Sequence, residues 1–133
     1  MTVSLYCLVA WCVWAILLVS AIAIVRTAQV LLGKKKSNEF PSGMQHGSDV
    51  YWRLNRAHVN AVENLPIFAA LILVAHVAHV DVQLLAEVAL GARLAQSLVH
   101  ISSNHVLAVN LRFTAFVTQA SCFGVMAVKL LLR

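Results

Sequence analysis

Charge is scarce in this sequence. Only 11% of its 133 residues are charged and 61% are hydrophobic, against about 25% charged in an ordinary soluble domain. A soluble globular chain is thereby excluded, and an integral membrane protein is the class that remains. The net charge is +5, yet the basic residues form no patch large enough to follow a phosphate backbone, so nucleic acid is not an expected partner. Their one run, Lys34, Lys35 and Lys36, suits a cytoplasmic membrane anchor better. Cysteine is sparse as well. Cys7, Cys12 and Cys122 form no C-x-x-C pair, are odd in number and lie in apolar runs, which reads as small buried hydrophobes rather than a disulfide or metal framework. An internal repeat of the transporter kind is also missing.

What the chain does have is long apolar runs. Val3 to Val25 is free of charge for 23 residues, and a hydrocarbon layer needs about 20. Ala21-Ile22-Ala23 could pass for a signal-peptidase site. No Lys or Arg precedes the run, however, and the cations Arg26 and Lys34–Lys36 follow it, so a retained helix with its N-terminus outside is expected. Tyr6 suits an outer anchor, and Trp11 and Trp14 suit packing. Gly33 to Gly47, containing Pro41, is a loop. Ser48 or Asp49 can cap the second helix, with Tyr51 and Trp52 at headgroup level. Pro66 removes the partner of the Val62 carbonyl, so a kink or local opening is expected there. His79, Val80 and Asp81 read as a tight outer turn. A third span carries Glu87, Arg93, Gln96 and His100, with Gly91 and alanines 86, 89, 92 and 95 as a small-residue surface. Ser102 to His105 connects to a fourth span with Asn110 and Arg112 near its start. The expected fold is therefore an all-α, up-down-up-down bundle in one membrane domain, with spans of roughly 3–32, 49–79, 82–101 and 106–130.

Polar residues are few, which gives their placement meaning. Arg53, Arg56, Asn60 and Glu63 fall at offsets of 0, 3, 7 and 10, one side of an α-helix. Leu65 to Ala78 then carries no formal charge. The helix begins as a polar ladder and ends as a membrane span. With both termini outside, the start of helix two, the end of helix three and the start of helix four share one cytoplasmic level. That level holds Arg53, Arg56, His58, Asn60, Glu63, Gln96, His100, Asn110 and Arg112. His76, His79 and Asp81 lie at the other side, and no metal site is expected from them.

The string R-A-H-V-N-A-V-E-N-L-P-I-F at 56–68 resembles the second-helix signature of the membrane-associated proteins in eicosanoid and glutathione metabolism, the MAPEG family. That signature has an R-A-x-x-N-x-x-E-N-x-P core. The Ala92-Arg93 pair and Arg112 resemble its other landmarks, and the similarity spans nearly the whole chain. It implies a homotrimer of four-helix subunits, with glutathione between neighbours near the cytoplasmic face. Within it the chain resembles bacterial-type members akin to microsomal glutathione transferases, implying an inner membrane. By matching positions, Arg56, Asn60 and Glu63 bind glutathione, Arg93 supports them, Arg26 is a further contact, and Arg112 stabilises the thiolate; Arg53, one turn nearer the loop, reads from its position as a headgroup contact or a further ligand contact. The eicosanoid-forming members carry histidine and tyrosine where this chain has Gln96 and His100. One prostaglandin-forming branch has serine at Phe113 and arginine at Val59. A prostaglandin or leukotriene synthase is therefore not expected.

The chemistry agrees with the motif. Glutathione has two carboxylates, one ammonium and a thiol that is mostly protonated at neutral pH. Arg56 and Arg93 offer planar forks for carboxylates, Glu63 matches the ammonium, and Arg112 favours a thiolate. A lipophilic electrophile or lipid hydroperoxide can arrive from the bilayer, and no metal is required. Two alternatives stay open: a structural ion network among Arg56, Glu63 and Arg93, and a non-catalytic protein whose groove binds membrane lipid or a partner.

Overall fold

The computed structural model of the chain describes residues 1–132 and contains four helices: α1 Val3–Leu31, α2 Asp49–Val77, α3 Gln83–Ser102 and α4 Val106–Leu131. Each is long and apolar enough to cross a membrane. The protein is an all-α, multi-spanning membrane bundle. Short connections fold α2, α3 and α4 back on one another as antiparallel neighbours.

Helix α1 shows why these sequences assemble in lipid. Ser4, Cys7, Trp11, Ala15, Leu18 and Ile22 are buried at intervals of three and four residues, a single stripe. Val9, Val13, Ile16 and Leu17 face outward. A helix that is apolar all round is at home in hydrocarbon. The bundle is correspondingly inverted, because Arg93, Gln96, Ser97 and Gln119 are inside while large aliphatic side chains cover the surface. Helix α2 packs against all three others, and α3 packs most extensively on α4.

Local chemistry sets the ends of the helices. The Ser48 hydroxyl accepts from the backbone N–H of Tyr51 at 3.2 Å, which caps α2 in the usual way. Gly33, at φ +66°, closes α1 in a conformation that costs glycine nothing. His79 turns the chain after α2 at φ +54°, and the Asp81 carboxylate caps Gln83 N–H at 2.9 Å. In the connecting loop Phe40 is flanked by Arg26 and Lys35, each 5.4 Å from its ring centre.

The core has two halves. Toward the α2–α3 turn it is apolar, built on Trp11, Phe68 and Phe123, with ring centroids 4.7, 5.8 and 6.2 Å apart. Toward the α1–α2 loop it becomes polar. Trp11 joins the two, because its Nε1 donates to the carbonyl of Ala61 at 3.1 Å. That carbonyl neighbours the one Pro66 deprives of its partner. Helix α2 runs on through Pro66 as one element, Asp49–Val77. A side chain from α1 braces the backbone at the weak turn, the kind of support that lets proline persist in membrane helices. Trp14, by contrast, is only half-buried.

Trp11→Ala removes the centre of the aromatic stack and this brace together. It should cost about 3–5 kcal/mol, the range for emptying a large aromatic site, in unfolding measured in detergent. A loss under about 1 kcal/mol would show that the two halves of the core are not joined through Trp11.

Candidate functional site

The polar half of the bundle is assembled from all four helices. On α2 the ladder alternates between the inside of the subunit and its surface. Arg53 and Asn60 are half-buried, whereas Arg56 and Glu63 are exposed on the subunit surface. Arg53 is tied to the end of α3, its Nε donating to the Ile101 carbonyl at 2.9 Å. Arg112 enters half-buried from α4. Arg53, Arg56 and Arg112 all lie close enough to His100 on α3 to act on it through space. Two cations from α2 and one from α4 therefore make a common positive locus, a setting that attracts anions.

Deeper in the bundle, Arg93 is only 1% exposed. Its Nη1 donates to Asn60 Oδ1 at 2.6 Å, and its guanidinium carbon lies 5.1 Å from the Trp11 ring centre. The Nε and Nη2 atoms of Arg93 have no partner among the described residues, nor do Gln96 Oε1 and Ser97 Oγ beside it. Arg93 thus pairs with an amide and an aromatic face, not with Glu63. The ion network considered from the sequence is absent among the described residues.

Arg26 stands apart, at the foot of α1. Its Nε donates to the Tyr51 hydroxyl at 2.7 Å and its guanidinium covers Phe40. It ties α1, the loop and the start of α2 together, one and a half helical turns before Arg56.

Two participants escaped the sequence reading. Asn64 Nδ2 donates to the Asn60 carbonyl at 2.9 Å and approaches Asn60 Oδ1 at 3.4 Å. Gln119, fully buried on α4, donates its Nε2 to Asn64 Oδ1 at 3.1 Å. Each carried a signal: Asn64 follows Asn60 by one helical turn, and an amide within an apolar span is by default a site. Among the described residues no cluster of three or more His, Cys, Asp or Glu side chains is arranged to hold a metal.

Comparison with known proteins agrees with this layout. The model of the MAPEG family matches residues 4–132. No individually curated protein shows significant similarity to the chain.

The enclosure of Arg93 predicts a contrast between two substitutions. Arg93→Ala opens a void and should cost about 2–5 kcal/mol. Arg93→Met fills similar volume without an unmatched cation and should cost under about 1.5 kcal/mol. Thermal unfolding in one detergent measures both, and equal losses would contradict the packing described.

Proposed function

The chain belongs to the MAPEG family, and from that premise we propose that it is a membrane-bound glutathione transferase. The observation that carries the reading is the outward position of Arg56 and Glu63 beside the Arg53–Arg112 locus. Charges on the face of a membrane bundle are costly against lipid and call for a protein or ligand partner. Glutathione matches them group by group. Arg56 takes a carboxylate and Glu63 the ammonium, while Asn60 binds beside them. Arg93 positions Asn60. Arg112 stabilises the thiolate. Arg53 and Arg26 shape the rim.

In the transfer step the thiolate sulfur bonds to an electrophilic carbon. The displaced group leaves with its electron pair or, in an addition, the product carbanion takes a proton from water. Peroxidase activity follows from the same thiolate. Sulfur attacks a lipid hydroperoxide, releasing the alcohol and a glutathione sulfenic acid, which a second glutathione converts to disulfide and water. The lipophilic partner arrives from the surrounding lipid, and no metal takes part.

The family resemblance supports a homotrimer with glutathione between neighbours. The cations flanking α1 support outside termini and a site facing the cytoplasm. Resemblance to bacterial-type members supports an inner membrane. Gln96 and His100, standing where eicosanoid-forming members have histidine and tyrosine, favour one other reading: a non-catalytic member whose groove binds lipid or a partner.

Arg112→Ala should reduce the thiolate fraction of bound glutathione and lower turnover by about a hundredfold, the scale for losing one electrostatic stabiliser. Arg56→Ala should chiefly weaken binding. Ultraviolet thiolate absorbance with equilibrium binding separates the two. An unchanged thiolate fraction in Arg112→Ala removes Arg112 from catalysis. A wild type that binds glutathione but forms no thiolate supports the non-catalytic reading.

Topology has its own test. A cysteine placed at Asn38 should resist an impermeant thiol reagent in intact cells, while one at Asp81 should react. The reverse pattern would put the site on the wrong face. Native mass spectrometry should show trimers, and a stable glutathione-binding monomer would contradict the shared site.

A further inference from the structure

A cavity of about 320 Å³ opens where the end of α1 meets the connecting loop, lined by Arg26, Thr27, Val30, Leu31, Ser37 and Phe40. Its lining is of two kinds. Arg26 brings a guanidinium, and Thr27 and Ser37 bring hydroxyls. Val30, Leu31 and Phe40 are apolar, and Leu31 is 81% exposed at the end of a helix long enough to cross the membrane. No carboxylate is among the lining residues.

Negative charge is what this corner lacks. Arg26 is half-buried. Its Nε donates to the Tyr51 hydroxyl at 2.7 Å and its guanidinium lies over Phe40, and neither partner is an anion. Lys35 Nζ lies 5.4 Å from the centre of the same ring. Between residues 26 and 40 stand Arg26, Lys34, Lys35 and Lys36 against a single acid, Glu39. Glu39 Oε2 accepts from the Lys36 backbone N–H at 3.0 Å. A guanidinium and hydroxyl donors amid uncompensated positive charge match the oxygens of a phosphate. Free phosphate would leave the apolar lining unused. The end of a span is the level at which headgroups lie, so a phosphate that carries its own hydrocarbon fits both kinds of wall. We propose that this cavity binds the headgroup phosphate of an anionic phospholipid. Arg26, Thr27 and Ser37 donate to the phosphate, and Val30 and Leu31 meet the start of the acyl chains. The excess of lysine favours an anionic over a zwitterionic lipid. Phe40 holds Arg26 and Lys35 at the rim through its ring face. This site does not depend on the glutathione reading.

The test separates a site from diffuse attraction. The purified protein is titrated in one detergent with phosphatidylglycerol or phosphatidylcholine of identical acyl chains, and native mass spectrometry counts the lipid retained per subunit. Wild type should retain phosphatidylglycerol with an apparent Kd at least about tenfold below that for phosphatidylcholine. Thr27→Glu puts a carboxylate into the cavity beside Arg26. Lys34→Gln lowers the net charge by the same amount on an exposed residue outside the lining. Thr27→Glu should abolish the preference and Lys34→Gln should keep most of it. Phe40→Ala, a change in the loop that leaves the helices untouched, should also lose it. Equal losses in Thr27→Glu and Lys34→Gln would show diffuse attraction and overturn the proposal, as would equal retention of the two lipids by wild type. Inorganic phosphate displacing the lipid would assign the cavity to a free anion, and glutathione displacing it would assign the cavity to the tripeptide. Either result overturns the lipid assignment. A wild type that keeps the lipid preference but binds no glutathione would uphold this site and remove the proposed function.

Discussion

A guanidinium with no carboxylate beside it lies where three membrane-spanning helices meet, α1, α2 and α3. Arg93 is 1% exposed, and hydrocarbon offers it nothing. Its charge is met by the Trp11 ring and the Asn60 oxygen. Each of these contacts fixes something else. Trp11 is held by the α2 backbone next to the turn that proline weakens, and Asn60 is the member of the ladder between inside and outside. Removing Arg93 would therefore loosen α1 against α2 and free the Asn60 side chain. Buried charges are poor devices for stability alone.

This constraint links the two halves of the core. The aromatic stack at one end sets the approach of α1 and α2 and reaches α4 through Phe123. The polar half inherits that spacing. Arg53, Asn60 and Arg112 are then half-buried while Arg56 and Glu63 remain outward. Cations thus gather at one end of a subunit that otherwise shows lipid its aliphatic side chains.

Much of the fold was legible because membrane helices advertise themselves. Long charge-free runs, the Ser48 cap and the turn at His79 are local signals, and the structure contains all three. The α2 ladder was legible from its spacing, and the common level of the α2 and α4 arginines from the order of the spans. What could not be read was rotation of one helix against another. Periodicity placed Arg93 on a polar stripe with Gln96 and His100, but only packing shows that it is closed off and meets Asn60. The same limit hid Gln119, whose partner lies 55 positions away in sequence, and the bond between Arg26 and Tyr51. The sequence likewise does not reveal that Trp11 meets the Ala61 carbonyl, 50 positions away.

The central claim is that glutathione completes the open side of the α2 ladder between two subunits. An experimental structure of the protein with glutathione in a lipid nanodisc tests it most directly. The account predicts a trimer with one tripeptide in each groove, its charged groups on Arg56, Asn60 and Glu63 and its sulfur beside Arg112. A subunit whose ladder faces lipid or a structural partner, with glutathione elsewhere or not bound, would contradict it.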